Sequence, residues 1–419
     1  MSDDKYRDNA NSLDYGWRFQ SRSILCMEDR SNLIDESAYH MHMALSQMSQ
    51  EFYYTERCLQ CGICTEVCPF TRLNTIDKFS PREFIQRLRL GLLDLSGEDL
   101  WYCTNCGSCE MVCPFEIPFV KVMSSLRNLV VKQGAGYLPA TLKNSISSLS
   151  TYNNPWMEDP DRRSDWMRGI DIPAHKKNSP RKILLFIGCF PSYDVDGKRI
   201  ARSAVRLLNR VNINFETLGN KEVCCGDSSF RSGDSDGFEK LKNINTSNFA
   251  EKGIRYIYTL SPHCFDVMSK WYFKDNEYHV KPFILLIHEL ISSNILKLKK
   301  PINKRIAFHD PCFLCKHNKI IDEPREILKS ISGAEFVEME HCGAKSMCCG
   351  GGGGGVFLDR KKGERLSEIR LDEAVRSGAD ILVTACPLCL SMLGDSAKSD
   401  DRYSDIRIMD ICELVLEAV

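Results

Sequence analysis

With 419 residues, the chain has room for about two or three domains. Hydrophobic residues make up 43% and charged residues 26%, ordinary values for a globular protein. A net charge of -1 without basic runs excludes a nucleic-acid partner, and the apolar stretches, such as 182–187 and 282–287, fall far short of a membrane span.

The opening Met1-Ser2-Asp3-Asp4-Lys5-Tyr6 has no apolar core of the kind a secretion signal needs. The expected location is therefore the cytoplasm, at a membrane only through another polypeptide. In that reducing compartment 21 cysteines are expected as free thiols, and metal is their default use.

Residues 1–54 read as an N-terminal helical extension. Met41, Met43, Leu45, Met48 and Phe52 recur at helical spacing and are assigned to packing. His40 and His42 face different directions on a helix and are not expected to be ligands.

Residues 55–133 carry the strongest signal. Cys58-x2-Cys61-x2-Cys64-x3-Cys68-Pro69 repeats as Cys103-x2-Cys106-x2-Cys109-x3-Cys113-Pro114. Three cysteines of each run suit one face of a [4Fe–4S] cubane, and in two-cluster ferredoxins the fourth serves the other cluster. This predicts Cys58, Cys61, Cys64 and Cys113 around one cubane, and Cys103, Cys106, Cys109 and Cys68 around the other. Between the runs, Ser80 as N-cap, Pro81 at the first helical position and Glu83 at the third announce a helix. With a second helix expected over 119–132, the pattern predicts the helical type of two-cluster ferredoxin domain. Residues 134–180, rich in Ser, Asn, Pro and Gly, read as a linker packed across a surface, where Trp156 and Trp166 argue against a disordered tether.

The remainder is an internal repeat, offset by 123 to 125 residues. Residues 181–189 match 304–312, Cys224-Cys225-Gly226 matches Cys348-Cys349-Gly350, and 256–264 match 381–389. A near-constant offset indicates duplication. Short apolar runs ending at cysteines alternate with helical segments over 201–211 and 363–377, which predicts parallel α/β units. The fold expectation is thus an α+β multi-domain chain, with a helical ferredoxin domain followed by a duplicated α/β pair over 181–300 and 301–419. Sites are expected at the carboxyl ends of the strands.

The two halves differ in ligand capacity. The second has five cysteines, Cys312, Cys348, Cys349, Cys386 and Cys389, more than one tetrahedral ion uses. Adjacent Cys348 and Cys349 suit neighbouring irons of a cluster, and the glycines of 350–355 permit close backbone approach. The expectation is an iron–sulfur site on which chemistry occurs. The first half has Cys189, Cys224, Cys225 and Cys264, with Ser261 standing where the second has Cys386. A four-ligand cubane, a zinc ion and an empty site all remain open there. The glycine run lacks the Gly-Lys-Ser/Thr ending of a phosphate loop. Cys412 is expected in the core, Cys315 and Cys342 flank the complete site, and His309 and Asp310 either orient that site or form a structural pair.

These motifs resemble the heterodisulfide reductase family, specifically its D-type member, which fuses a two-cluster ferredoxin module to paired CCG domains. The resemblance covers about residues 55–419 and matches the ferredoxin cysteines and all five cysteines of the second half. It implies that Cys312, Cys348, Cys349, Cys386 and Cys389 hold a non-cubane [4Fe–4S] cluster that binds and reduces a disulfide. It also implies related architecture in iron–sulfur subunits of sulfate-reducer membrane complexes and of glycolate, lactate and glycerol-3-phosphate oxidising enzymes. The expected partners are a membrane cytochrome b, a quinone-reactive subunit or a flavoprotein, and the expected substrate is a small disulfide or thiol, or a disulfide-carrier protein. With one complete site, the chain is similar to members that keep a single active cluster.

Overall fold

The computed structural model describes residues 50–73, 79–172, 182–273 and 277–419. Of the expected N-terminal extension, only the end lies among them, including the Gln50–Thr55 helix, which buries Phe52. Met41, Met43, Leu45, Met48, His40 and His42 lie outside the described residues.

The ferredoxin region is helical. Ser80 Oγ accepts from Glu83 N, and Pro81 opens the Pro81–Arg89 helix, which buries Phe84, Ile85 and Leu88. Each cysteine run makes one short turn, Ile63–Glu66 or Ser108–Met111, entered through left-handed Gly62 or Gly107. The Ser108–Met111 turn leans on the Phe119–Gln133 helix, whose Val122, Met123 and Leu126 are fully buried, and the Ile63–Glu66 turn packs on the Ser108–Met111 turn and the Pro81–Arg89 helix. Phe79 sits edge-on to Phe70 and Phe119, and Phe84 also packs on Phe119. At about 1.5–3 kcal/mol per buried large apolar side chain, these rings contribute substantially to holding the two cysteine turns together.

The 134–172 stretch is more than a linker. It forms the Ala140–Tyr152 helix, whose Leu149 enters the core of the first half. Trp166, 1% exposed, is inserted beside Leu207 and Phe215. Tryptophans in a polar stretch signalled anchoring, but no periodicity in 140–152 reveals which face is buried.

Each half then forms a small parallel sheet. The first orders β1 (Ile183–Phe186), β2 (Tyr256–Thr259) and β3 (His279–Pro282). The second orders β5 (Glu335–Val337), β4 (Arg305–His309), β6 (Ile381–Thr384) and β7 (Arg407–Asp410). Every strand pair is parallel. A lone bridge from Leu184 to Glu216 stands beside β1 where β5 stands beside β4, so the two sheets share one topology. The Val195–Arg210 helix starts six residues before the expected Ala201 because Asp194 caps it, accepting from Gly197 N at 2.9 Å. One core joins the halves: Leu185, Ile200, Leu208 and Ile287 pack in a cluster with Phe308, Val383, Ile411 and Val415.

Candidate functional site

In the second half, parallel strands deliver the side chains at their carboxyl ends, as such sheets do. β4 ends in His309 and leads into Cys312, while β6 leads into Cys386, which sits at the N-cap of the Pro387–Lys398 helix that carries Cys389. Cys348 and Cys349 arrive on the loop after β5. The structure brings these five sulfurs into one buried chain. Cys312 and Cys349 hydrogen-bond Cys348, Cys349 Sγ is 3.3 Å from Cys389 Sγ, and Cys386 hydrogen-bonds Cys389. Burial pushes the Cys389 thiol well up. Cys386 is the opposite case: burial would raise it, but hydrogen bonds from Cys389 and His263 bring it down to about 5.

His309 and Asp310 separate in role. Asp310 is saturated, accepting from Arg325 Nη1 at 2.7 Å and Nη2 at 2.9 Å, and from Gly343 N at 2.7 Å. It ties the strand end to the loop that precedes Cys348. His309 is 1% exposed, and burial, together with Arg370, pushes its pKa down to about 3, so the ring is neutral. A ring nitrogen of His309 and the Sγ atoms of Cys349 and Cys389 lie within 4.8 Å of one another. Cys315 is buried against the Asp310 carbonyl, Cys342 is half-buried near Glu338, and Cys412 is core.

The ferredoxin cysteines fall into two groups. Cys64 lies in the field of Cys58 and Cys113, and these three line one concavity with Cys61, which Cys109 also borders. Cys68 lies with Cys103, Cys106 and Cys109 around another. The fourth cysteine of each run therefore sits with the other run. Burial raises the Cys68 and Cys109 thiols and takes Cys103 to about 12. Without a metal these thiols are held neutral, and binding one would require them to give up their protons.

Cys106 also hydrogen-bonds Cys348, so the second ferredoxin group touches the five-cysteine group. The glycine run makes this docking. A Cβ on Gly352 would meet the Thr104 carbonyl at 2.4 Å, and one on Gly353 would meet the Cys103 carbonyl at 2.5 Å. The glycines thus serve chiefly as a seam against the ferredoxin loop, while Gly350 N approaches Cys348 Sγ at 3.3 Å. Lys316 spans the same seam, donating to Ser108 Oγ and to the Ser346 carbonyl.

The first half gathers Cys189, Cys224, Cys225 and Cys264 into a similar buried sulfur chain. Ser261 borders it, but its Oγ is turned to the backbone N–H of His263 at 3.3 Å as a helix cap. Arg163 donates to Cys189 Sγ at 3.4 Å and to Glu222 at 2.7 Å. Pro387 and Leu388 of the second half close the same concavity. His263 bridges the two sites: it pairs with Asp227 at 2.9 Å and hydrogen-bonds Cys386. Burial alone would lower its pKa, but Asp227 and Cys386 hold it up at about 10.

Sequence reasoning missed Arg163, Lys316 and His263. Arg163 and Lys316 had no motif to mark them, whereas His263 was visible as the one position of Pro262-His263-Cys264 that departs from its repeat partner, Leu388.

The donor sets fit iron–sulfur clusters, being all cysteine sulfur and grouped in fours and five; both CCG sets are buried, whereas Cys58, Cys64, Cys109 and Cys113 are half-buried and Cys61 is exposed. The model of a cysteine-rich domain matches residues 183–269 and 306–394, and that of a 4Fe-4S dicluster domain matches 54–117. The D-type subunit of the dihydromethanophenazine:CoB–CoM heterodisulfide reductase of Methanosarcina barkeri is 31% identical, with 87% of this chain and 94% of that protein covered. The chain belongs to the D-type heterodisulfide reductase family. Two further relatives are larger. A probable iron-sulfur-binding oxidoreductase, FadF, of Bacillus subtilis is 29% identical over 86% of this chain, and the EtfAB:quinone oxidoreductase of Syntrophomonas wolfei is 31% identical over 78%. The chain spans 59% and 48% of their respective lengths. The D-type relative is thus matched almost end to end, and iron–sulfur clusters are the cofactors of the fold. Among the described residues no helix is long and apolar enough to cross a membrane.

Proposed function

We propose that the chain is the iron–sulfur electron-transfer and catalytic subunit of an anaerobic respiratory oxidoreductase that couples a redox partner to disulfide/thiol chemistry. The observation that carries this reading is the contact of Cys106 with Cys348, which makes a relay domain and a five-sulfur site neighbours within one buried seam. In this reading Cys58, Cys61, Cys64 and Cys113 hold one cubane, and Cys68, Cys103, Cys106 and Cys109 the other. Cys312, Cys348, Cys349, Cys386 and Cys389 hold a non-cubane [4Fe–4S] cluster. Bound there, the clusters supply one-electron carriers and iron able to exchange thiolates. The chain's own part is to bury them, exclude water and fix their spacing. Cleaving a disulfide to two thiols consumes two electrons and two protons, so a partner must deliver or accept electrons. A membrane cytochrome b, a quinone-reactive subunit or a flavoprotein fits that role. The four-sulfur site takes a four-thiolate metal, either a further cluster or zinc.

A second reading, an electron conduit in a quinone- or flavoprotein-linked enzyme, is favoured by the activity for which the Syntrophomonas relative is named and by Ser261.

The test is metal content and electron paramagnetic resonance on anaerobically purified protein, before and after thiol addition. The expected result is about twelve irons, or about sixteen if the first half is also loaded with iron, and a new signal on adding thiol. The same irons with no thiol response would leave the conduit. About eight irons would sink the five-cysteine assignment.

A further inference from the structure

The two nitrogens of His309 are in opposite situations. Nδ1 accepts from Arg370 Nε at 3.3 Å. A guanidinium has no acceptor to offer, so Nδ1 must present its lone pair. The single proton of a neutral imidazole then sits on Nε2. Nε2 is buried with no hydrogen-bond partner. With Nδ1 taken by Arg370, it is the nitrogen left for the space beside Cys349 and Cys389.

This polarity decides between two roles. A histidine that ligates metal through Nε2 carries its proton on Nδ1 and gives it to a carboxylate or carbonyl. Here Nδ1 meets a donor, and the donor is locked. Arg370 also bonds Glu373 and the His341 carbonyl, and reaches the Met339 sulfur at 3.4 Å. The ring therefore offers an N–H, not a lone pair.

We propose that His309 is a positioning residue that donates an Nε2–H hydrogen bond to a sulfur anion held beside Cys349 and Cys389. That sulfur belongs either to the site itself, as a cluster or cysteine sulfur, or to the thiolate of a bound substrate. No proton is transferred; the hydrogen bond stabilises the more electron-rich sulfur. The inference rests on the five-cysteine reading above. Its internal control is the first half, where Phe186 occupies the equivalent strand position, fully buried, 123 residues earlier. The same fold accepts an aromatic ring without a donor there, and it does so in the half that lacks the fifth cysteine.

The experiment compares full-length wild type, His309→Phe and His309→Gln, the last retaining an N–H donor. Iron is counted, the sites are titrated redox-wise by paramagnetic resonance, and 2-mercaptoethanol is then added. The expected result is wild-type iron in both variants and unchanged ferredoxin-type signals. The midpoint of the five-cysteine site falls in His309→Phe and recovers in His309→Gln, because donors to sulfur favour the reduced state. That outcome assigns the acceptor to the site's own sulfur. An unchanged midpoint with about tenfold weaker 2-mercaptoethanol binding in His309→Phe assigns it to the substrate thiolate. Midpoint and binding both unchanged would overturn the hydrogen bond. Loss of the five-cysteine site's iron in both variants would make His309 a ligand and overturn it too. A wild type with only about eight irons removes the parent reading and this inference together, and is distinguished by failing before any variant is compared.

Discussion

Lys316 places an ammonium group in the field of four sulfurs, those of Cys106, Cys312, Cys315 and Cys348, at the seam between the second ferredoxin group and the five-cysteine site. Burial favours loss of its proton, but the sulfurs outweigh burial and its pKa is raised. A fixed cation there favours whichever state carries more electrons. Lys316→Met should lower the midpoint potentials of the two adjoining sites by an amount on the order of 1–3 kcal/mol per electron. Potentials unmoved in redox titration would show that the charge is screened. Asp410 offers a pH test. Burial raises its carboxyl from the usual 3.8 to about 7, although the Cys412 N–H holds it down in part. The folded state prefers the protonated form, so stability present at low pH is lost as pH climbs from about 4 to about 7, at most on the order of 4 kcal/mol. Asp410→Asn should flatten that decline, and its thermal midpoint should gain on wild type between pH 5 and pH 8. A constant gap across that range would refute the assignment.

Among elements, the glycine run shows a sequence signal whose target the sequence does not name. Six glycines after a cysteine pair announce close approach, yet nothing in the sequence says that the approaching surface is the Cys103–Asn105 loop some 250 residues earlier. Gly353 lies in the left-handed region at φ 59°, and its missing Cβ leaves room for the Cys103 carbonyl. Gly353→Ala should cost about 1–3 kcal/mol through overpacking and backbone strain, seen as a lower thermal midpoint and easier proteolysis between the ferredoxin and CCG parts. Gly97→Ala, which meets nothing within 4 Å, is the control and should be near neutral. Local chemistry was legible wherever neighbours in sequence settle it: Ser80 caps a helix because Glu83 N is three residues away. The Arg163 side chain was not, because its partners, Cys189 and Glu222, are 26 and 59 residues distant. Long-range partners leave no trace in spacing.

At the scale of the molecule, duplication was readable from the offset alone, but the fusion of the halves was not. Repeats signal equal folds and say nothing of which faces meet. The shared core of Leu208, Ile287, Phe308 and Val415 makes the halves one cooperative body. Calorimetry of the metal-loaded protein should therefore show no separate transition for either half, and a resolved second peak would contradict the common core.

The same intimacy sharpens the question of whether the two cysteine sites work independently, since His263 reaches Cys386 from the first half and Leu388 walls the first site from the second. The proposed assignment predicts that they separate by ligand despite this contact. Cys264→Ala should empty only the four-sulfur site, removing about four irons or one zinc, and leave the thiol-induced paramagnetic signal in place. Cys389→Ala should abolish that signal and thiol-dependent turnover while the ferredoxin-type signals persist. His263→Gln keeps a side-chain donor and is the control for the bridge. If Cys264→Ala also erased the thiol-induced signal while His263→Gln did not, the first site would have to be part of the catalytic apparatus and not a structural neighbour.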